Sequence, residues 1–371
     1  MVQRPTVLLL IPHLGGGGAE RVTALLARGL SPHKYGVHLA LVTQSAPPVN
    51  CLPASVTVHT LGSPRVRAAA VPLVRLVQRL QPDVILSGMA HLNFLVLLAK
   101  PFFPRKTQVF VRQNATVSAS LDSGQLPSYT SFLYRVLYPS ADRIICQSRA
   151  MAVDLARQTH VRPSKIWVLP NPVDTAGIQA GSGSGAGLWK GPGPHLLAIG
   201  RLAPEKGFDL LLKAFSSVRI CFPSADLTIL GSGPDETALK SLCRTLRLES
   251  LVNFPGYCPH PESYFPAATL FVLSSRHEGL PNALLEAAAA GLPIVALPSS
   301  PGVCDLLCGK PGVWLAGDVS ARSLTQSLLA ALQSIPCGQR FDHTWIELFR
   351  MDRALQRYEC LIDETLAGGR K

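Results

Sequence analysis

Residues 275–295 read SRHEGLPNALLEAAAAGLPIV and contain the clearest pattern of secondary structure in the chain. It begins as a loop directly after the apolar run Leu270–Leu273. It continues as a predicted helix over Asn282–Ala290, with Pro281 suited to the first helical turn. A second apolar run, Ile294–Leu297, follows at once. Strand, helix and strand in close succession predict a parallel β-α-β unit.

The same alternation of short apolar runs and helical patterns fills both halves of the chain. The predicted strands are Val7–Ile11, Val37–Val42, Val56–Leu61, Val84–Leu86, Gln108–Val111, Arg143–Cys146, Ile166–Leu169, His195–Ile199, Leu227–Leu230, Val252–Phe254, Leu270–Leu273, Ile294–Leu297 and Val313–Leu315. The predicted helices are Ala19–Leu30, Val66–Leu80, Tyr129–Tyr138, Phe208–Phe222, Glu236–Leu246, Asn282–Ala290 and Ala321–Leu332, with one or two more over Trp345–Leu366. The fold class is therefore α/β, with two Rossmann-like, doubly wound domains.

A domain boundary is predicted at residues 176–194, which read AGIQAGSGSGAGLWKGPGP. A composition dominated by Gly, Ser and Pro does not bury enough apolar surface to order itself. We therefore predict an N-terminal domain at 1–175, a linker at 176–194, a C-terminal domain at 195–340 and terminal helices at 341–371. Whether those helices return to the N-terminal domain is left open. Two doubly wound sheets joined in this way are expected to face each other across a ligand-binding cleft.

Two glutamates in the opening stretch are candidates for chemistry. Glu278 lies in the loop before the predicted helix, where the positive end of the helix dipole alone would favour an acid. Glu286 lies inside the helix, about a turn and a half from its start at ~1.5 Å rise per residue. Four alanines follow it. Because an unpaired carboxylate in so apolar a helix is costly, Glu286 should have a polar partner.

Two cations stand after another predicted strand of the same sheet, His195–Ile199. Residues 200–207 read GRLAPEKG, with Arg201 and Lys206 on either side of a turn. Arginine offers bidentate hydrogen bonds and lysine a point charge, so the two suit a diphosphate. A solvated turn in which Glu205 pairs with either cation explains these residues equally well.

Two glycine-rich turns follow other predicted strands. Residues 14–21 read LGGGGAER, where glycines let the backbone approach a ligand closely and the next helix points its N-terminus at an anion. The sixth position from Gly15 is Glu20, so the nicotinamide-binding pattern GxGxxG is absent. Residues 231–234 read GSGP, which is either a tight loop beside a nucleobase or a plain turn.

Positive charge is concentrated in the first half of the chain. The net charge is +12, and residues 1–175 carry 18 Lys/Arg against 6 Asp/Glu, while residues 176–371 carry 17 of each. Such segregation indicates an anionic partner, which is a nucleic acid, an anionic lipid or a phosphorylated substrate. Nucleic acid is disfavoured because aromatic residues make up only 6% of the chain and no RNP-type stacking motif occurs.

Neither a metal site nor a membrane-spanning segment is predicted. The nine cysteines form no CxxC pair, and Cys304 and Cys308 have no matching His or Cys pair nearby, so scattered free thiols in a reducing cytoplasm fit best. No apolar stretch reaches about 18 residues, and Val7–Ile11 is typical of a first strand rather than a signal peptide.

The ordered set of motifs resembles the family-4 retaining glycosyltransferases of GT-B fold. In the second half the resemblance rests on GRLAPEKG, GSGP, VNFPGY and EGLPNALLE, the E-x7-E signature, over residues 195–320. In the first half it rests on GGGGAER, ADRIICQS and VLPNPVD. The resemblance implies a retaining transfer of a hexose or N-acetylhexosamine from a nucleotide-diphosphate sugar, with UDP favoured and GDP open. It also implies no metal and no cofactor.

The resemblance implies a role for each matching residue. Arg201 and Lys206 would stabilise the donor diphosphate and the charge that builds on it as the glycosidic bond breaks. Glu278 would contact donor-sugar hydroxyls, as a positioning residue rather than a nucleophile. The catalytic residues would be Glu278, Arg201 and Lys206. The donor-binding residues would be Gly16, Gly17, Gly231, Gly233, Gly279, Leu280, Asn282 and Glu286, with Glu286 on the ribose hydroxyls.

The chain departs from the family pattern at three places. Many members carry a histidine after the fifth strand, where residues 111–114 here read VRQN, so Arg112 or Asn114 would take the acceptor-side place. Relatives that read Glu-Arg-Asn there often act on lipid-linked glycans. Residues 171–174 read NPVD for the usual NG-V-D, and residues 301–305 read PGVCD for Gly-Gly-x-x-Glu. The shorter Asp305 leaves the identity of the sugar open.

The predicted acceptor is a glycan, polyprenyl-linked or otherwise held at the inner face of the cell membrane. Two basic segments are candidates for anionic lipid. Residues 65–81 carry four arginines and no acid. Residues 100–106, KPFFPRK, are explained equally well as a loop that contacts lipid headgroups and as a plain connection between a helix and a strand. In the first segment the stripe expected to face inward is Val71, Val74, Leu76, Val77 and Leu80.

The alternatives are a soluble transferase with a small phosphorylated acceptor and a non-catalytic nucleotide-sugar sensor. The four intact donor-site positions argue against the sensor.

Overall fold

The computed structural model describes residues 4–15, 17–43, 52–122, 127, 129–180, 188–189, 192–336 and 338–368. Contacts between Cα atoms divide the chain into two compact units. The first unit is formed by Met1–Pro172 with Met351–Lys371, and the second by Val173–Arg350. In the described ranges, no helix is both long and apolar enough to cross a bilayer.

Strands and helices alternate along the described chain. The strands are β1 (Thr6–Ile11), β2 (Gly36–Leu41), β3 (Thr57–Thr60), β4 (Val84–Ser87), β5 (Gln108–Arg112), β6 (Arg143–Cys146), β7 (Ile166–Val168), β8 (His195–Ile199), β9 (Asp226–Leu230), β10 (Val252–Gly256), β11 (Leu270–Leu273), β12 (Ile294–Ala296) and β13 (Val313–Leu315). The helices are α1 (Gly18–Gly29), α2 (Ala70–Leu80), α3 (Ala90–Ala99), α4 (Val117–Asp122), α5 (Thr130–Leu137), α6 (Arg149–Gln158), α7 (Thr175–Ala180), α8 (Phe208–Cys221), α9 (Glu236–Thr245), α10 (Asn282–Ala289), α11 (Pro301–Leu307), α12 (Ala321–Ser334) and α13 (Met351–Gly368). Each predicted strand is present, with ends shifted by at most two residues.

Each unit contains one parallel sheet. The strand order is β3-β2-β1-β4-β5-β6-β7 in the first unit and β10-β9-β8-β11-β12-β13 in the second. In both sheets the chain order reverses once, between β1 and β4 and between β8 and β11. Ligands of doubly wound sheets bind at such a reversal, outside the carboxyl ends of the strands. The predicted α/β, doubly wound fold class is confirmed.

The first sheet is covered by helices on both faces. Successive side chains of a strand point to opposite faces, and β1 shows this clearly. Leu8 and Leu10 pack in one core with α2, α3, α5 and α6. Val7, Leu9 and Ile11 pack in a second core with α1 and α13. Because both faces are buried, β1 is apolar along almost its whole length.

The second sheet is also covered on both faces. Leu196 and Ala198 of β8 pack with α8, α9 and α12, whereas Leu197 packs with α10. The helix α10 buries Leu284, Leu285 and the small residues that follow, which lets it lie close to the strands. Its start is therefore held firmly against the carboxyl end of the sheet.

The chain returns to the first unit through α13. Gly29 of α1 lies so close to this helix that an added Cβ would be 2.3 Å from Leu355 Cδ1. The hydroxyl of Tyr35 donates a hydrogen bond to Asp363 Oδ1 at 2.6 Å. The structure thus divides the chain at Pro172 and at Arg350, whereas the sequence placed the boundaries at the Gly/Ser-rich stretch and at residue 341.

Several local predictions differ from the structure. The predicted linker begins with the helix α7, and Trp189 stacks on His195 with ring centroids 4.7 Å apart; residues 181–187 and 190–191 lie outside the described ranges. Of the inward stripe predicted for α2, Leu76 and Val77 are buried and Val74 and Leu80 pack against the core, whereas Val71 is 58% exposed and the unpredicted Leu73 is buried. Pro281 precedes α10 as its N-cap rather than lying in its first turn.

Candidate active site

The loops that follow β8 and β11 meet at the reversal point of the second sheet. These strands are neighbours in the sheet although β9 and β10 lie between them in the chain. Because parallel strands end at the same edge, Arg201 and Lys206 after β8 are brought near Glu278 after β11. The convergence of these loops follows directly from the strand order.

Lys206 and Glu278 form a direct ion pair. Lys206 Nζ lies 2.6 Å from Glu278 Oε1, and the Ser275 hydroxyl donates to the same oxygen at 2.7 Å. The two side chains are 24% and 10% exposed, so the pair is largely shielded from water. The predicted proximity of these two residues, 72 positions apart in the chain, is present in the structure.

Arg201 lies beside this pair in the chain but has its own partner. Its guanidinium donates to Glu205 Oε1 at 2.7 Å, and the Arg201 side chain is 61% exposed. Burial raises the pKa of the Glu205 carboxyl, but the hydrogen bond and charge of Arg201 outweigh it, so the pKa lies below its ordinary value. The surface pair that the sequence left as an alternative is therefore formed.

A third ion pair, which sequence reasoning missed, connects the two loops. Arg276 donates to both oxygens of Asp209 at 2.7 and 2.8 Å and to the Pro204 carbonyl at 2.9 Å. Its backbone N–H donates to the Glu205 carbonyl at 2.8 Å. Burial raises the pKa of Asp209, yet the Arg276 hydrogen bonds and charge dominate and lower it. Arg276 thus holds the loop of Glu278 against the loop of Lys206.

These three pairs leave little net charge at the carboxyl end of the sheet. Each cation, Arg201, Lys206 and Arg276, faces one carboxylate. A diphosphate could therefore be attracted only where a cation exchanges its carboxylate for phosphate. The exposed Arg201–Glu205 pair is the easiest to open, since exposed pairs contribute about 0–1 kcal/mol.

The GSGP loop packs tightly against the loop after β8. Gly231 has φ +139°, and an added Cβ would lie 1.9 Å from the Gly200 carbonyl oxygen. At Gly233 the added atom would lie 2.3 Å from the Leu202 carbonyl oxygen. The Leu202 N–H also donates to Ser232 O at 3.0 Å. Both glycines are therefore required by backbone packing, whether or not a nucleobase lies against them.

The start of α10 carries the remaining predicted donor residues. Gly279 and Leu280 are buried in the loop before the helix, and Asn282 is its first residue. Glu286 is the fifth residue of the helix and is only 7% exposed. It has polar or electrostatic interactions in the structure, as its burial requires.

The glycine-rich turn of the first unit already has a carboxylate beside it. Gly16 lies outside the described residues, and Gly17 is the N-cap of α1. Glu20 is 6% exposed, and its Oε2 lies 2.3 Å from where a Cβ on Gly17 would stand. Since the N-terminus of a helix favours an anion, Glu20 occupies part of the position expected for a phosphate. Closure of this turn over phosphates stays a prediction.

Arg112 and Asn114 lie together at the carboxyl end of β5. Arg112 is 2% exposed, donates to Asn114 Oδ1 at 2.7 Å and makes a second hydrogen bond to Asn171 Oδ1. Asn114 also accepts from Gln147 at 3.1 Å and donates to the Gly88 carbonyl at 3.3 Å. An acceptor would thus meet Asn114 before the buried Arg112. Their acceptor-side role stays a prediction.

No group of three or more His, Cys, Asp or Glu side chains suited to a metal occurs among the described residues. This observation does not test whether the enzyme works without a metal, as the resemblance implies, so that stays a prediction.

Two family models match the chain and together span most of it. Residues 16–176 match the model described as Glycosyltransferase Family 4, and residues 186–341 match Glycosyl transferases group 1. The chain belongs to the family-4 glycosyltransferases and has the GT-B fold. Family membership makes it a glycosyltransferase.

Relatives and solved structures agree with this assignment. The N-acetylgalactosamine-N,N'-diacetylbacillosaminyl-diphospho-undecaprenol 4-alpha-N-acetylgalactosaminyltransferase of Campylobacter jejuni is 27% identical over 80% of this chain and 82% of its own length. The Anabaena protein HepE, solved with UDP, has a TM-score of 0.77 at 16% identity and covers 98% of this chain and 100% of its own. Sucrose-phosphate synthase from Thermosynechococcus elongatus has a TM-score of 0.82 at 15% identity, with coverage of 98% and 100%. At these identities the two structures show the fold alone.

Proposed function

We propose that this glycosyltransferase moves a hexose or N-acetylhexosamine from a UDP-linked donor to a lipid-linked or membrane-associated glycan, with retention of anomeric configuration. The observation that carries the proposal is the ion pair of Lys206 and Glu278 at the reversal point of the second sheet, next to Arg201. Relatives support the substrate classes. HepE was solved with UDP, and the Campylobacter enzyme is named for an undecaprenol-linked acceptor.

Each residue of the second unit would have a separate task. Arg201, the most exposed of the three cations, would leave Glu205 and bind the diphosphate of the donor bidentately. Lys206 would stabilise the charge that builds on the departing phosphate, because its ammonium is already fixed by Glu278. Glu286 would accept hydrogen bonds from the ribose hydroxyls. No residue of this set requires a metal to perform its task.

Retention would follow from departure and attack on the same face of the sugar. The leaving phosphate would take the proton of the acceptor hydroxyl, so that no protein base is needed. Asn114, held by Arg112 and Gln147, would orient that hydroxyl.

The test compares Lys206→Met and Glu286→Gln with the wild type in two assays. One is hydrolysis of UDP- and GDP-linked sugars without acceptor, and the other is binding of UDP by calorimetry. We expect Lys206→Met to lower turnover by about 10²–10³-fold, as loss of one charge-stabilising donor does elsewhere. Glu286→Gln should mainly weaken binding, since the ribose contact is the same in ground and transition states.

A matched control is Arg219→Met, which removes a positive charge from the last turn of α8, whereas Lys206 precedes that helix. Turnover close to wild type in Lys206→Met and Glu286→Gln, with the control also unchanged, would refute the site.

The second candidate, transfer to a small phosphorylated acceptor, is favoured by the basic first half of the chain. Transfer to a sugar phosphate but not to a polyprenyl-linked glycan would establish it.

A further inference from the structure

The exposed apolar side chains of the first unit are concentrated on one layer of helices. Twelve large apolar side chains are exposed in the part of the chain that the structure describes, and seven of them belong to α2, α3, α5, α6 or the residues next to these helices. The seven are Val71, Leu98, Phe102, Tyr129, Phe132, Val136 and Val153. We call α2, α3, α5 and α6, with the residues that adjoin them, the basic layer. Neighbouring helices of this layer touch one another, and all four pack on the same face of the sheet.

Most of the excess positive charge lies in the stretch of chain that contains this layer. Residues 65–165, which contain its four helices, carry 14 Lys/Arg and 4 Asp/Glu, a net charge of +10 out of the +12 of the whole chain. The opposite face is different. The helices α1 and α13 that cover it together carry four arginines and five acids. The charge is therefore segregated within the first unit and not merely within the first half of the sequence.

Three of the four acids in residues 65–165 are engaged in internal contacts, and the side chain of the fourth, Asp122, lies outside the described part of the chain. Asp142 pairs with Lys100 at 2.7 Å, and Asp83 with Lys106 at 3.3 Å. Asp154 accepts the backbone N–H groups of Val117 and Ser118. These carboxylates do not neutralise the arginines that point to solvent, so the surface presents mostly positive charge.

Exposed apolar and basic side chains lie side by side on α5 and α6. Tyr129, Phe132 and Val136 are 61%, 64% and 52% exposed and fall on one side at helical spacing, with the exposed Arg135 beside them. On α6, Arg149, Val153 and Arg157 are spaced four residues apart and are all exposed. In this part of the described chain, no carboxylate pairs with Arg135, Arg149 or Arg157.

We propose that the basic layer docks this protein on an anionic phospholipid bilayer, with Tyr129, Phe132 and Val136 entering the headgroup region and the arginines binding lipid phosphates. Large apolar side chains among arginines are typical of helices that lie in a membrane interface. Each arginine near an anionic surface adds a roughly equal increment of electrostatic attraction, and dissolved salt screens this attraction. The proposal rests on the proposed function only for the location of the acceptor at a membrane, because the surface itself is defined by charge and exposure.

The experiment is co-sedimentation of the whole chain with vesicles, in the absence of any donor. One vesicle contains phosphatidylglycerol mixed into phosphatidylcholine, and the other is pure phosphatidylcholine. We expect binding to the anionic vesicles at low salt, weak binding to the neutral ones and release at high salt. Arg135→Glu and Arg149→Glu should each weaken binding roughly 30-fold at low salt, since each changes two charges at the surface. Phe132→Ser should weaken it roughly fivefold through lost apolar burial.

Two matched controls change the same chemistry elsewhere. Arg357→Glu reverses an exposed charge on α13, and Ile220→Ser removes a side chain that is 78% exposed in the second unit. Both should bind vesicles like the wild type. Equal binding of the wild type to both vesicles, or equal losses in the controls, would overturn the proposal. So would a concentration-dependent dimer that Arg135→Glu and Phe132→Ser dissociate, because the layer would then be a self-association surface.

Failure of this proposal can be told apart from failure of the proposed function. UDP binding measured without vesicles reports on the donor site and not on the basic layer. A variant such as Phe132→Ser that loses vesicle binding and keeps UDP binding supports docking through this layer. A wild-type protein that binds UDP but no anionic vesicle refutes the docking surface and leaves the donor site standing.

Discussion

Replacement of Glu205 by Gln should strengthen the binding of UDP rather than weaken it. Arg201 is the most exposed cation of the candidate site, and its guanidinium is held by Glu205 Oε1 at 2.7 Å. A diphosphate must compete with this carboxylate for the same donors. A glutamine keeps the size of the side chain but removes its charge, so a phosphate competes for Arg201 with a neutral amide oxygen instead of a carboxylate.

The size of the effect follows from the exposure of the pair. The Arg201 side chain is 61% exposed and Glu205 is 28% exposed, and the two are four residues apart. Such pairs contribute about 0.3–1 kcal/mol after screening by water. At about 1.4 kcal/mol per factor of ten, UDP should bind roughly two- to fivefold more tightly. The gain should shrink at high salt, because salt screens both the pair and the phosphate.

Isothermal titration with UDP at low and high ionic strength measures this gain. The matched control is Glu347→Gln, which removes one carboxylate from an exposed Arg–Glu contact of 3.6 Å with Arg350. Glu347 lines a groove beside the C-terminal end of α10, away from Asn282 at its start. Unchanged or weaker binding of UDP to Glu205→Gln, at wild-type stability, would refute competition for Arg201. An equal gain in UDP affinity in Glu347→Gln would mean that the gain comes from the change in net charge and not from Arg201.

Three other predictions concern the framework of the site. Gly231→Ala should lower the free energy of unfolding, measured by urea denaturation, by about 3–5 kcal/mol, because its φ is unfavourable and its Cβ would lie 1.9 Å from Gly200 O. The control Gly309→Ala, at φ +67° in open space, should lower it by only about 1–2 kcal/mol. A double-mutant cycle of Arg276→Gln and Asp209→Asn should show a coupling of about 1–2 kcal/mol, since the pair is bidentate but about one-third exposed, and zero coupling would contradict the bridge between the loops. Burial lowers the pKa of His343, whose Nε2 bonds the Leu292 carbonyl. The unfolded chain therefore takes up its proton first, and stability should fall as the pH drops below about 6.5 and continue to fall through the folded pKa. If the urea midpoint of His343→Gln depends on pH as steeply as that of the wild type, this prediction is wrong.

Local patterns were sufficient to predict the sheets but not every helix. The strand β1 could be found because TVLLLI is apolar after Thr6, as strands buried on both faces are. The helix α3 was missed because Leu92 to Ala99 is apolar on nearly all sides and shows no helical period. The helix α7 was missed because it lies next to a Gly/Ser-rich stretch that dominated the composition. Where apolar periodicity is lost, tertiary packing decides the structure.

The candidate site could be predicted only where strand order alone brings its residues together. Lys206 and Glu278 follow two strands of one sheet, so their convergence required no knowledge of side-chain contacts. The Arg276–Asp209 bridge joins positions 67 apart and follows no local pattern. The burial of Arg112 depends on Asn171, which is 59 positions away. The sequence indicated an acceptor-side place for Arg112 but not its burial, which amide partners make possible for a guanidinium.

The contacts of Glu278 bear on how the sugar could be transferred with retention. A carboxylate that attacks an anomeric carbon must bring an available lone pair and its negative charge to that carbon. One oxygen of Glu278 is already bonded to both the Lys206 ammonium and the Ser275 hydroxyl. These donors stabilise the charge where it is and fix the side chain in one position, which opposes attack. The same contacts suit a residue that accepts hydrogen bonds from sugar hydroxyls and keeps Lys206 in place. The arrangement thus supports positioning by Glu278 and departure of the phosphate toward fixed cations, rather than a covalent glycosyl-enzyme intermediate.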